Sequence, residues 1–290
     1  MGLVQYVLMT LTIAWVRKVD DTKELVVASD SRLTGGMAWD GCPKIMMLPR
    51  GDCLLAFGGP TYFAYPLMLQ FRNWVELDPR ARSRERDIVT LKKRMRLMFM
   101  DMRSHISSLP RGQLDAEPYD FDLIFGGWSW RSLEFRLWSF QWAEAEKVFN
   151  FAPAGSSLRV SQHHPTVFAG TRAATEDARD RIIALLRERG RFQTPYYDME
   201  PFEVLRDIIR EGRYPDVGGA PQLAKIYQHG NTQPFAVSWR SQGETQPRVT
   251  ILGRPLFAGE RTMAPIVDAD QIEFRNVKTL RKRTRLSAEK

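Results

Sequence analysis

Cysteine is scarce in this chain, with only Cys42 and Cys53 among 290 residues. Two thiols build no disulfide framework, and the expectation is a pair of reduced, buried cysteines. Histidine is scarce too, at four residues. His163-His164 and the two others stand at no metal-ligand spacing from the cysteines, so no metal and no cofactor are expected. No apolar run reaches the roughly 20 residues a membrane helix needs. The opening "MGLVQYVLM" is apolar, but it carries no basic n-region and is too short for a signal peptide. These absences predict a soluble, cytoplasmic protein with no membrane partner. Ser156-Ser157 lacks the G-x-S-x-G elbow of a hydrolase. Gly35-Gly36 and Gly218-Gly219 lack the Lys and Ser/Thr of a phosphate loop. No internal repeat or low-complexity linker divides the chain.

What the chain has is a core. Hydrophobic residues make up 43% and aromatic residues 11%, enough for one large globular domain. The net charge is +8. Much of it sits in "PRARSRERDIVTLKKRMRLMFMDMR" (79–103) and in the tail "RNVKTLRKRTRLSAEK". Such blocks serve nucleic-acid binding or, more commonly, solvated helix faces. No nucleic-acid-binding motif accompanies them, so nucleic acid is an unlikely partner.

Hydrophobic periodicity orders the elements. "TLTIAWVRK", "LVVASDSRLT", "KIMMLP" and "CLLAFGG" read as short strands, with the Gly-rich "GGMAWDGCPK" as a loop or short excursion. "PTYFAYPLMLQFRNWVEL" reads as a helix in which Pro66 is either a kink or the first turn. A second helix follows over about 87–107. Strands recur in "DFDLIFGGWSW", "SLEFRLWSF", "AEKVFNFAP" and "TVFAGT". Then come helices in "AATEDARDRIIALLRERG" and "PFEVLRDIIREGR", a strand in "APQLAKIY" and a last one around "RVTILG". The remainder reads as irregular. Helix pairs between antiparallel strand groups predict an α+β fold: a four-layer αββα sandwich of two antiparallel sheets.

Three polar residues mark ends of neighbouring strands. Thr10 opens the first, Asp30 closes the second, and Lys44 begins the next after Pro43. A hairpin-and-return path brings such ends together at one edge of a sheet.

The stretches "TLTIAW", "LVVASDSRLTGG", "CPKI" and "LLAFGG" resemble the N-terminal half of proteasome β-type subunits and their bacterial ring-protease relatives. These are N-terminal-nucleophile (Ntn) hydrolases. Thr10, Asp30, Lys44 and Gly58-Gly59 fall in order on the family's threonine, aspartate, lysine and glycine pair. Further on, "FAGTRAA" is similar to a strand-to-helix turn that places Thr171 where a serine often supports the site. "DVGGAPQLAKI" is similar to an Asp-x-x-Ser-Gly turn, with Asp216 matching and Gly219 in place of the serine. The resemblance spans about residues 9–228.

It implies a threonine amidohydrolase, a peptidase or amide hydrolase, whose Thr10 hydroxyl is the nucleophile and whose freed α-amine is the base. A free α-amine has a reference pKa of about 7.7–8.0 and accepts a proton near neutrality, which an amide nitrogen does not. Residues 1–9 therefore act as a propeptide or a mis-assigned start. Met9 stands where self-processing members usually carry glycine, and it is also a possible true start. Lys44 stabilises the developing alkoxide, Asp30 orients Lys44, and the Gly58 N–H donates to the oxyanion. A peptide or amide substrate lies extended beside Asp30–Thr34, its side chain meeting Leu33, Thr34, Cys42, Met46 and Ala56. Residues 10–253 form the catalytic domain, and 254–290 a C-terminal extension with a basic tail. The family further implies a homo-oligomer and leaves room for an ATPase partner. Two rivals stand beside this reading: a non-catalytic ring subunit of the same fold, and a basic module that binds nucleic acid.

Overall fold

A computed structural model describes residues 10–34, 37–106, 121–143, 145–155, 160 and 165–275. The readings that fall on residues 1–9, Gly35-Gly36, Ser156-Ser157, His163-His164 and the tail after Arg275 lie outside the described residues.

The chain opens with β1 (Leu11–Val19) and β2 (Thr22–Ser29), then two short pieces, β3 (Leu33–Thr34) and β4 (Ala38–Trp39). β5 (Ile45–Met47) and β6 (Cys53–Gly58) lead into α1 (Thr61–Leu77), α2 (Pro79–Arg82) and α3 (Ile88–Ser104). β7 (Asp122–Ser129), β8 (Glu134–Ala143), β9 (Val148–Pro153) and β10 (Thr166–Gly170) follow. α4 (Arg172–Glu188) and α5 (Glu200–Glu211) precede β11 (Gln222–Tyr227), β12 (Asn231–Trp239) and β13 (Arg248–Ile251). The last strands are β14 (Arg254–Pro255), β15 (Ile266–Asp268) and β16 (Phe274–Arg275).

Two principal sheets result. One runs β10-β1-β2-β11-β12-β13-β14 and carries β15 and β16 at β12; the other runs β5-β6-β7-β8-β9. Among the strands of the described residues every pairing is antiparallel except β12 with β15. The fold is thus a mixed α/β one built on antiparallel sheets.

Alternation along the strands sorts the core into three clusters. Leu11, Ile13 and Trp15 of β1 face α4 and α5, packing with Ala178, Ile182, Phe202 and Ile208. Their neighbours Ala14 and Val16 turn the other way, onto Leu54, Ala56 and Ile124 of the second sheet. In β6, Leu55 and Phe57 turn from that cluster toward Phe71 of α1 and Met95 and Phe99 of α3. Phe99 meets Phe140 edge-on at 5.3 Å, and Phe140 stacks on Phe149 at 4.8 Å, geometries that aromatic quadrupoles favour.

Several elements go beyond the reading of the sequence, the short α2 among them. β12 passes unread, since Pro234, opposite Ala224, argues against a strand there. The stretch after Gly253, read as irregular and separate, supplies β14, β15 and β16 to the first sheet. Ala38 and Trp39 of the Gly-rich excursion form β4, which pairs with β3, Leu33 opposite Trp39. Of the two readings of Pro66, the structure has the interior one: it lies within α1, whose first residue is Thr61.

Candidate active site

β1 and β2 pair from Thr12↔Ser29 to Val19↔Thr22, so Thr10 and Asp30 emerge side by side at one end of the hairpin. The Asp30 N–H donates to the Leu11 carbonyl at 3.2 Å, and the Leu11 N–H donates to Asp30 Oδ1 at 3.1 Å. Asp30 Oδ2 accepts from the N–H groups of Arg32 and Gly218, both at 3.1 Å. A carboxylate held by three backbone donors is fixed in place and compensated for burial.

Lys44 completes the group. Its Nζ stands 2.8 Å from Asp30 Oδ1 and 3.1 Å from Thr10 Oγ1. The Lys44 and Asp30 side chains are fully buried, and Thr10 is 3% exposed. Burial pushes the Lys44 ammonium below its usual lysine range, while Asp30, by charge and hydrogen bond, pulls it back up. Gln222 anchors the backbone around it. Its Oε1 accepts from the Lys44 N–H at 3.0 Å, and its Nε2 donates to the carbonyls of Asp30 and Cys42. Gln222 escaped the sequence reading; its only signal is its place at the start of β11, directly after the "DVGGAP" turn.

β10 closes the other side of Thr10. Leu11 pairs with Gly170, so one step along the register sets Thr171 opposite Thr10. Thr171 is 5% exposed, and its hydroxyl has no hydrogen-bond partner among the described residues. Gly58 abuts this strand as well: a Cβ on it would lie 2.5 Å from the Gly170 nitrogen. Asp216 is half-buried in the turn before Gly218, and its charge raises the affinity of both Lys44 and Arg32 for their protons.

The residues assigned to substrate divide. Leu33 and Met46 are partly buried against the cluster under α1 and α3. Cys42 is buried, and burial raises its thiol pKa while the Lys44 charge opposes the rise. The Thr34 hydroxyl is buried without a partner among the described residues. Ala56 goes elsewhere: strand alternation turns it into the core between the sheets, where it is fully buried beside Ala14 and Ile124. It is packing, and no substrate side chain reaches it there.

Arginines of the basic block at 79–103 are engaged within the fold. Arg80 pairs with Glu85, Arg82 with Glu76 and Arg86 with Asp78. Arg84 donates to the carbonyls of Arg50 and Gly230, and Lys92 lies over the Trp138 ring. Among the described residues no group of His, Cys, Asp and Glu is arranged to hold a metal, and no helix is long and apolar enough to cross a membrane.

No family model matches the sequence, and no curated protein matches it. Among solved structures, the chain is similar to a mutant of Anbu from Hyphomicrobium sp. strain MC1. The TM-score is 0.52 at 13% sequence identity, over 81% of this chain and 89% of that one. The fold is proteasome-like. At this identity the likeness carries the path of the chain and no chemistry.

Proposed function

We propose that the chain is an N-terminal threonine amidohydrolase of peptidase type on a four-layer αββα Ntn scaffold. One observation carries the reading: a buried lysine ammonium stands between a threonine hydroxyl and a carboxylate. An ammonium 3.1 Å from Thr10 Oγ1 stabilises the alkoxide that nucleophilic attack requires. Asp30, held by three N–H groups, keeps that ammonium from being a lone buried charge.

In the reaction, the Thr10 α-amine, freed when residues 1–9 are removed, takes the hydroxyl proton. Thr10 Oγ1 then bonds to the substrate carbonyl carbon. The Gly58 N–H donates to the oxyanion. The scissile C–N bond breaks as the α-ammonium returns its proton to the leaving amine. Water adds to the acyl ester, the Oγ1–C bond breaks, and Thr10 is regenerated. Thr171 faces the amine, and Asp216 supports Lys44 electrostatically. The substrate extends beside Asp30–Thr34 through backbone pairing, with Leu33, Thr34, Cys42 and Met46 near its side chain. With this reading goes a cytoplasmic homo-oligomer, and the family resemblance leaves room for an ATPase partner.

The experiment is intact mass and N-terminal sequencing of protein expressed from Met1 and from Met9, with labelling by a threonine-directed β-lactone. A chain starting at Thr10 that labels, and whose Thr10→Ala variant does not, supports the hydrolase. A chain that keeps residues 1–9 in every preparation has no free amine and removes the mechanism. The second reading then stands, a non-catalytic subunit of the same fold. It is favoured by one observation, the 3% exposure of Thr10.

A further inference from the structure

Thr10 and Asp30 border β1 and β2 of the first sheet, whereas Lys44 leads into β5 of the second. The 3.1 Å contact of Lys44 Nζ with Thr10 Oγ1 therefore crosses from one sheet to the other. The cluster that joins the sheets is apolar, with Ala14, Ile45, Ala56 and Ala224 among its members. Apolar burial is non-directional. A reacting constellation needs its groups held to within about 0.5 Å, and that calls for directional bonds.

Gln222 supplies them. It is fully buried, and alternation along β11 turns it to the face that carries Ala224 and Ile226, toward the second sheet. Its Nε2 donates to the Asp30 carbonyl at 3.0 Å, at the end of β2, and to the Cys42 carbonyl at 2.8 Å. Its Oε1 accepts from the Lys44 N–H at 3.0 Å, at the start of β5. A side-chain amide suits this place, because it carries an acceptor and two donors on one planar group. A carboxylate only accepts, lysine and arginine only donate, and asparagine is one methylene shorter.

We propose that Gln222 is a positioning residue: by tying the start of β5 to the end of β2 across the gap between the sheets, it holds Lys44 Nζ on Thr10 Oγ1. Its effect on chemistry rests on the reading of Thr10 as the nucleophile; its hold on Lys44 does not.

The test compares β-lactone labelling of the mature chain with that of Gln222→Met, Gln222→Glu and Thr232→Val, where circular dichroism shows each variant folded. Thr232 is the control. Its hydroxyl donates to the Gly51 carbonyl at 2.8 Å, a tie between the same two sheets at the other end of β5. Gln222→Met is expected to slow labelling about tenfold or more, as small misplacements of reacting groups do, with Thr232→Val at the wild-type rate. Gln222→Glu keeps the acceptor but has no donor while ionised, and protonation returns one. Its rate relative to wild type should therefore rise as pH falls, which a purely structural role would not produce. A folded Gln222→Met that labels at the wild-type rate overturns the proposal. So does equal slowing by Thr232→Val, which would mark a general loosening of the sheets. If the wild-type chain does not label, the hydrolase reading falls, and a double-mutant cycle in urea tests the hold on Lys44. The effect of Gln222→Met on the folding constant should then be smaller by about fivefold or more in a Lys44→Met background. Additive losses overturn the proposal. Should Gln222→Met fail to fold, Gln222→Glu takes its place in both measurements.

Discussion

Gly170 crosses the Thr10 carbonyl so closely that a Cβ at position 170 would lie 1.8 Å from that oxygen. Its φ of +134° is itself a conformation that L side chains rarely adopt. Backbone meets backbone here, so no rotamer change relieves the clash. Gly170→Ala is expected to cost about 4 kcal/mol or more, the range reserved for such defects. Urea denaturation of the variant measures it. A loss under about 1 kcal/mol would mean that β1 and β10 are not held together in this way.

Lys44 and Asp30 form a buried pair in which each member serves the other. Lys44→Met keeps the volume and removes the charge, leaving Asp30 with its three N–H donors alone. Breaking a buried pair at one end usually costs about 3–5 kcal/mol. The retained donors place this variant near 3 kcal/mol. Adding Asp30→Asn should recover part of the loss, giving a double-mutant coupling above about 1 kcal/mol. Additive losses would show that the two groups do not interact. On the proposed chemistry, β-lactone labelling vanishes in both single variants.

The same lysine sets a pH dependence. Burial holds the Lys44 pKa below its unfolded value near 10.5. Between the two values the unfolded chain binds more protons than the folded one, so stability rises with pH across that window. Below the folded value both states are protonated, and the burial penalty is constant. Other groups also shift on the alkaline side: Lys225 is lowered by burial, and Tyr227 is pushed up to about 12. The difference between wild type and Lys44→Met isolates the contribution of Lys44. Wild type should gain on the variant over a pH interval that lies below 10.5 and ends there, read in urea melts. Parallel profiles would contradict a lowered Lys44 pKa.

Local patterns carried much of this architecture. Alternation in "TLTIAW", the turn-bounded apolar run "CLLAFGG" and helical spacing through Phe99 all match elements of the structure. Thr10, Asp30 and Lys44 were legible as strand ends: the β1–β2 hairpin places Thr10 and Asp30 together, and the return of the chain into β5 brings up Lys44. What escaped depends on long-range pairing. Nothing near Gln222 announces that its amide will tie Asp30, Cys42 and Lys44. Period-two alternation shows that Ala56 and Phe57 face opposite ways, but only the packed sheets tell which way is substrate and which is core. The strands after Gly253 are two or three residues long, too short for any period to register.

Thr171 separates a structural role from a chemical one. Its hydroxyl is buried opposite Thr10 with no hydrogen-bond partner among the described residues, although it stands at the N-cap of α4, where such a group usually serves the helix. Thr171→Ala therefore removes no described hydrogen bond, and the change in folding stability should stay within about 1 kcal/mol. A freed Thr10 amine would give that hydroxyl its missing partner. Losing it should then slow β-lactone labelling of the mature chain and shift the pH at which labelling is half-maximal. Thr171→Ser keeps the oxygen and should restore both. If alanine destabilises the protein by several kcal/mol, the hydroxyl has a structural partner. If alanine leaves both labelling rate and pH profile unchanged in a chain that begins at Thr10, Thr171 does not serve the amine.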